Sequence, residues 1–194
     1  MIIAFDCDDV LVDYVQGLVD FTNNVLGIKR VMEDMTEYSF DKFWGCSIEE
    51  AISRVDRFHR TQRFRELEPI LGAIEGVRKL KSMGHDLVVI SSRPDYTLRD
   101  TFNNLRKHYG NAFSRIYFSK NPYTGRGDKD KRDFCKELDV KMLVEDNLVY
   151  AIECAEVCDV LLLNTHWNQT NELPNRVKRV SSWEEIVDEI EKIK

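Results

Sequence analysis

The feature that most constrains the fold is a recurrence. Short apolar runs rich in β-branched residues return along the chain, at Ile2 to Phe5, Asp86 to Ile90, Arg115 to Phe118, Met142 to Val144 and Val160 to Leu163, with helical periodicity between them. Apolar runs without alternation belong to strands buried on both faces, and parallel strands need the crossovers that helices provide. The expected class is therefore α/β, a Rossmann-like parallel sheet flanked by helices. Ala73 to Met83 carries Ile74, Val77, Leu80 and Met83 three apart and stops at Gly84, as a helix should. Lys131 to Leu138 and Leu148 to Val157 follow the same logic. A last helix, Trp183 to Ile193, starts after Ser181 and Ser182 with Glu184 and Glu185 in its first turn, where acids suit the positive helix end.

One interval is too long for a plain crossover. Residues 14–71 contain two helical patterns, Val15 to Leu26 and Ile48 to Phe64, a polar turn at Gly27, and an aromatic group of Tyr38, Phe40, Phe43 and Trp44. We read them as a small helical cap inserted after the first strand, its ends returning near Asp13 and Pro69, with residues 1–13 and 72–194 forming the core. A length of 194 residues with 43% hydrophobic content suits one domain carrying such an insertion.

Composition excludes some partners. A formal net charge of -6 argues against a polynucleotide. The N-terminus is apolar for only five residues before it meets acids, so neither a signal peptide nor a membrane span is expected there. Five cysteines, an odd count without a CxxC pair, suit a reducing compartment, and the expected location is cytoplasmic. Cys154 and Cys158 lie four apart without a nearby His and read as packing residues. The sequence leaves open whether the chain acts as a monomer or a homodimer.

The chemistry gathers where apolar runs end. The first strand meets Asp6, Asp8 and Asp9, three carboxylates within four residues, at the strand edge where open α/β sheets bind ligands. Two such charges repel by about 1 kcal/mol at 4 Å in water and by about 4 at an effective dielectric near 20. A divalent cation removes that cost, and a hard oxygen set with room for waters and phosphate suits Mg2+. A solvated Asp-rich turn is the plain alternative. Ser91, Ser92 and Arg93 follow the second strand and offer hydroxyls, amides and a cation to a phosphate, although Pro94 makes an ordinary turn equally natural there. Lys131 opens a helix, an unfavourable end for a cation; a solvated lysine in the charged run Asp128 to Asp133 is the alternative. Glu145 and Asp146 form a second acid pair after Met142 to Val144.

This order of acid pair, hydroxyl, lysine and acid pair resembles the haloacid dehalogenase-like hydrolase superfamily across the whole chain. Asp6-Cys7-Asp8-Asp9-Val10 matches its first motif, Ser91 the second, Lys131 the third and Glu145-Asp146 the fourth. Lys120 and Lys129 are the fallback lysines. Within the superfamily the chain looks most like the 5'(3')-deoxyribonucleotidase group and its bacterial and phage relatives, with a cap after the first motif and Ser-Arg-Pro after the second strand. It departs from them at Asp9, where Gly is common, and at Glu145, where Asp is common.

The resemblance implies a magnesium-dependent phosphatase. Asp6 would be the nucleophile that forms an aspartyl-phosphate, and Asp8 the general acid and base. Ser91, Ser92 and Lys131 would hold the phosphoryl group. The ion would be held by Asp6, by Asp8 through its backbone carbonyl, and by Asp146, with Glu145 in the inner or outer shell. The implied substrate is a small phosphate monoester, a nucleoside monophosphate first, with Arg93, Phe40, Phe43 and Trp44 as candidate substrate contacts. A sugar-phosphate phosphatase or phosphomutase would use the same motifs. A receiver-like phospho-Asp module also joins acids, a hydroxyl and a lysine, but it would leave the cap unexplained.

Overall fold

Parallel pairing with helical crossovers organises the molecule. In the computed structural model, which describes residues 1–122, 125 and 127–193, the strands are β1 (Ile2–Phe5), β2 (Asp86–Ser91), β3 (Phe113–Phe118), β4 (Met142–Glu145), β5 (Asp159–Leu163) and β6 (Val177–Val180). They form one sheet in the order β3-β2-β1-β4-β5-β6, with every neighbouring pair parallel. The reversal of strand order at β1 puts its C-terminal end, and Asp6, at a topological switch point.

The sheet divides the apolar side chains between its two faces. Ile3, Phe5, Val89 and Val144 point into one cluster, and Ala4, Val88, Ile90 and Leu143 into the other, the alternation that a period of two demands. The first face is covered by α5 (Ala73–Ser82) and α9 (Trp183–Glu191). Trp183 stacks on Phe5 with ring centroids 5.6 Å apart and donates its indole N–H to the Val10 carbonyl at 2.9 Å. A Cβ at Gly76 would lie 2.4 Å from that indole ring, so only glycine lets α5 approach this closely. On the second face lie α7 (Lys131–Glu137) and α8 (Leu148–Cys154), whose Cys135 and Cys154 pack with Cys158 in the core.

Between β1 and α5 come α1 (Tyr14–Phe21), α2 (Phe40–Trp44), α3 (Ile48–His59) and α4 (Gln62–Arg65). The two ends of this insertion meet. Val12 bridges Pro69, the Asp13 N–H donates to the Glu68 carbonyl at 2.9 Å, and the Ile70 N–H to the Leu11 carbonyl at 3.0 Å. Phe21, Phe58 and Phe64 from the insertion join the same apolar cluster as Phe5.

Several expected elements differ in detail. The pattern Ile48 to Phe64 is two helices, because Thr61 Oγ1 accepts from the Phe64 N–H at 3.2 Å and caps a new start. Val15 to Leu26 widens to a π-helix at Thr22–Leu26 and ends at Gly27, with φ 67. β3 begins at Phe113 rather than Arg115. Three named elements were not expected at all, α2, α6 (Leu98–Tyr109) and the edge strand β6. Among the described residues no helix is long and apolar enough to cross a membrane.

Candidate active site

The strand ends converge as the sequence suggested. Lys131 is 2% exposed; its Nζ donates to Asp6 Oδ1 and to Glu145 Oε2, each at 2.6 Å. Burial by itself would lower the pKa of this ammonium, but Asp6 and Glu145 more than reverse that and hold it well above the ordinary lysine value. Asp6 Oδ2 accepts from the Asp8 N–H at 3.1 Å, so both oxygens of the carboxylate are oriented. Lys129 pairs instead with Glu137, and Lys120 is exposed rather than buried beside Asp6.

Glu145 and Asp146 occupy the end of β4 in different ways. Glu145 Oε1 accepts from the Asn147 N–H at 3.0 Å and the Asp146 N–H at 3.3 Å while Oε2 serves Lys131. One oxygen of Asp146 accepts from Trp167 Nε1 at 2.8 Å, and Asn168 Nδ2 donates to the Asp146 carbonyl at 2.7 Å. Burial raises the pKa of both carboxyls.

Asp8 turns elsewhere. Arg93 Nε reaches its Oδ1 at 3.0 Å and Oδ2 at 3.1 Å, and Nη2 reaches Oδ1 at 2.5 Å. Burial raises the Asp8 pKa, with Arg93 opposing. Asp9 sits at φ 54, the left-handed region, which Asp tolerates better than most residues and Gly best of all. Its Oδ1 accepts from the Val15 N–H at 2.9 Å and thereby ties the first motif to α1, while its Oδ2 is buried without a hydrogen-bond partner.

These groups fit a hard divalent cation. Asp6, Glu145 and Asp146 each offer an oxygen, all within 4.8 Å of one another. Five buried or nearly buried carboxyls, Asp6, Asp8, Asp9, Glu145 and Asp146, face two buried cations, Lys131 and Arg93, an excess of three negative charges when all are ionised. An excess of that kind in a buried space calls for a counter-ion. The Asp8 side chain is outside the three-carboxylate group, so any part it has in holding metal falls to its backbone carbonyl.

A cavity of about 510 Å³ opens over this cluster, within the range of small-molecule sites. Asp6, Asp8, Glu145 and Asp146 line its floor; Ile48, Ala51, Ile52 and Val55 of α3 form one apolar wall. Of the residues expected to touch phosphate, Ser92 lines the cavity, and its Oγ lies 2.8 Å from Ser119 Oγ. Ser91 is fully buried, its Oγ accepting from the Arg93 N–H at 3.2 Å. Of the aromatic candidates, Phe40 borders the cavity. Phe43 and Trp44 pack in the interior of the insertion, and Trp44 Nε1 donates to Thr22 Oγ1 at 3.1 Å; an aromatic group in so small a helical unit builds its own core first.

Sequence reasoning missed a second polar group on the cavity wall. Tyr14 Oη and His59 Nε2 are 2.9 Å apart, His59 Nδ1 and Tyr96 Oη also 2.9 Å, and the Tyr96 hydroxyl donates to Asp56. His59 is pushed down to about 3 by burial and by the nearby Arg93. It missed Trp167 too, although Thr165-His166-Trp167-Asn168 follows an apolar run, the same signal that located Asp6.

Comparison with other proteins agrees with this geometry. The whole chain, residues 1–194, matches the family described as 5' nucleotidase, deoxy (pyrimidine), cytosolic type C protein. A Bacillus cereus protein described as "Putative nucleotidase" is 24% identical over 194 residues, covering 97% of each chain. An uncharacterised 32.4 kDa protein of phage T4 is 22% identical, over 97% of this chain and 69% of its own length. Among solved structures, a "predicted phosphatase" from Clostridium acetobutylicum superposes with a TM-score of 0.68 at 18% identity, over 99% of this chain and 98% of that one. A haloacid dehalogenase-like hydrolase from Streptococcus pneumoniae gives 0.69 at 17%, over 97% of each. With strand-end acids, a buried lysine and a match along its full length, the chain has the fold of haloacid dehalogenase-like hydrolases and belongs to the cytosolic type C 5' nucleotidase family.

Proposed function

We propose that the protein is a magnesium-dependent nucleoside monophosphate phosphohydrolase working through an aspartyl-phosphate on Asp6. The observation that carries this reading is the Lys131 ammonium held 2.6 Å from both Asp6 and Glu145, which presents one carboxylate in a fixed orientation on the cavity floor. Asp6 attacks phosphorus in line, one oxygen steadied by Lys131 and the other by the Asp8 amide, and one difficult displacement becomes two easier ones. Asp8 protonates the departing ester oxygen and then takes a proton from the attacking water, help worth about 10²- to 10⁴-fold. Lys131 and Ser92 hold phosphoryl oxygens, with Ser91 fixing the loop behind them; positioning and electrostatics supply most of the catalysis in such reactions.

Asp6, Asp146 and the Asp8 carbonyl would hold the magnesium, with Glu145, which keeps a lone pair on Oε2 beside its bond to Lys131, in the inner or outer shell. When bound, the ion supplies screening between an anionic nucleophile and an anionic ester. The apolar wall of α3, with Phe40 and Tyr38 beside it, favours a nucleobase over the hydroxyls of a sugar, and the insertion of residues 14–71 acts as the cap that closes over it.

Phosphate release from deoxyribo- and ribonucleoside monophosphates, sugar phosphates and an aryl phosphate, with magnesium and with chelator, tests this. Magnesium-dependent turnover fastest on nucleotides is expected. Turnover confined to sugar phosphates would overturn the nucleotide assignment, and none on any ester would overturn the hydrolase.

A further inference from the structure

Arg93 is built into the protein more heavily than a substrate ligand needs. Its residue is 5% exposed, and all three guanidinium nitrogens are engaged: Nε and Nη2 with Asp8, and Nη1 with Thr101 Oγ1 at 2.8 Å. Its charged plane lies 4.7 Å from the ring centroid of Phe64 and 5.8 Å from that of Tyr14, contacts that favour a cation and fix its rotamer. Its backbone N–H donates to Ser91 at the end of β2. Although Arg93 borders the cavity, each of its guanidinium nitrogens already donates within the fold.

The two oxygens of Asp8 are treated unequally. Oδ1 receives both Nη2 and a share of Nε, whereas Oδ2 receives only the other share of Nε, at 3.1 Å. A carboxylate oxygen has two lone-pair sites, so Oδ1 is filled and Oδ2 keeps one open. We infer that Arg93 is a positioning residue for Asp8, holding its carboxyl so that Oδ2 carries the proton delivered to the leaving oxygen. The inference rests on the reading of Asp8 as the proton donor. In the first step the Asp6–phosphorus bond forms and the ester P–O bond breaks, its electron pair going to the leaving oxygen as that oxygen takes the Oδ2 proton and departs as an alcohol. In the second, water attacks phosphorus and gives a proton back to Oδ2, and Asp6 leaves as a carboxylate.

An anchor for a proton donor matters in proportion to how much the leaving group needs the proton. An alkyl ester such as a nucleoside monophosphate needs it; a nitrophenyl phosphate, whose phenolate leaves unaided, hardly does. Arg93→Met is expected to lose roughly 10²- to 10⁴-fold in kcat on the nucleotide, the span of general acid help, and less than about tenfold on the aryl ester. Thr101→Val, which removes only the prop on Nη1, should show the same bias at smaller size. In an Asp8→Ala background Arg93→Met should cost nothing further, since residues acting as a unit are non-additive.

Equal losses on the two esters, or a rise in KM with kcat unchanged, would overturn the inference and make Arg93 a scaffold or a substrate ligand. Removing the arginine leaves a buried carboxylate alone and endangers folding. Should Arg93→Met fail to fold, Thr101→Val and the charge-free Asp8→Ala/Arg93→Met pair carry the same test, read against Asp8→Ala. Wild-type protein inactive on both esters would overturn the phosphatase reading and this inference with it; an active wild type with unbiased losses overturns this inference alone.

Discussion

The cavity has two halves built on opposite principles. Its floor is charge-dense and comes from strand ends: Asp6 and Asp8 after β1, Arg93 after β2, Glu145 and Asp146 at β4, with Lys131 of α7 buried behind Asp6 and Glu145. Its wall is apolar and comes from one helix of the insertion, through Ile48, Ala51, Ile52 and Val55. On the floor each side chain is held by named partners at hydrogen-bond distance, so replacement should change chemistry abruptly. On the wall each side chain contributes area, so replacement should change affinity gradually.

The sharpest break between the halves is Asp6→Asn. It should abolish phosphate release while leaving the thermal melt and the circular dichroism spectrum close to wild type; retained turnover would remove the nucleophile from Asp6. Next comes Lys131→Met, which strips the shared cation from Asp6 and Glu145. A loss of about 10²- to 10³-fold in kcat is expected, as for other lost oxyanion donors, with about 3 to 5 kcal/mol of destabilisation from the unpaired buried charge. Magnesium should recover part of that stability, and a melt unmoved by the ion in wild type would argue against a metal on the floor.

Val55→Asn probes the wall. It should raise KM for a nucleotide by about 10- to 200-fold, the scale of an altered apolar pocket contact, and spare kcat; an equal loss of kcat would show that wall and floor are not separable. The smallest effect belongs to Trp44→Phe, which gives up one buried hydrogen bond to Thr22. Denaturant unfolding should register about 0.5 to 1.5 kcal/mol with KM unchanged, and a rise in KM would return Trp44 to the substrate site.

Legibility in the sequence follows the same division. A strand end is a local event, an apolar run stopped by a polar residue, and Asp6, Ser91 and Glu145 could be read from it without knowledge of the fold. Wall residues are defined by which face of α3 meets the cavity, and that depends on the turn at Arg60–Thr61, where one helical pattern becomes two helices. The aromatic run from Phe40 to Trp44 shows the difficulty: identical chemistry, with one ring at the cavity and two in the interior. β6 escaped notice because Val177-Lys178-Arg179-Val180 sets two charged residues between its valines instead of running apolar, and α6 because Leu98–Tyr109 is largely polar. Arg93 stood out in the sequence, but its attachment to Asp8, 85 residues away, is a property of the sheet order.

The chain of hydroxyls through His59 has a direction. A tyrosine hydroxyl carries one proton, and that of Tyr96 goes to Asp56. Tyr96 can therefore only receive from His59, which fixes the imidazole as its Nδ1–H tautomer, neutral as its depressed pKa requires. The bare Nε2 must then take the proton of Tyr14. Each proton in the series is committed to the next member, from Tyr14 through His59 and Tyr96 to Asp56, so Tyr14 faces the ligand with lone pairs only. At that point the pocket has a polarity of its own: it welcomes an N–H or O–H on the substrate and turns away a carbonyl, a preference set by the carboxylate of Asp56 three links distant.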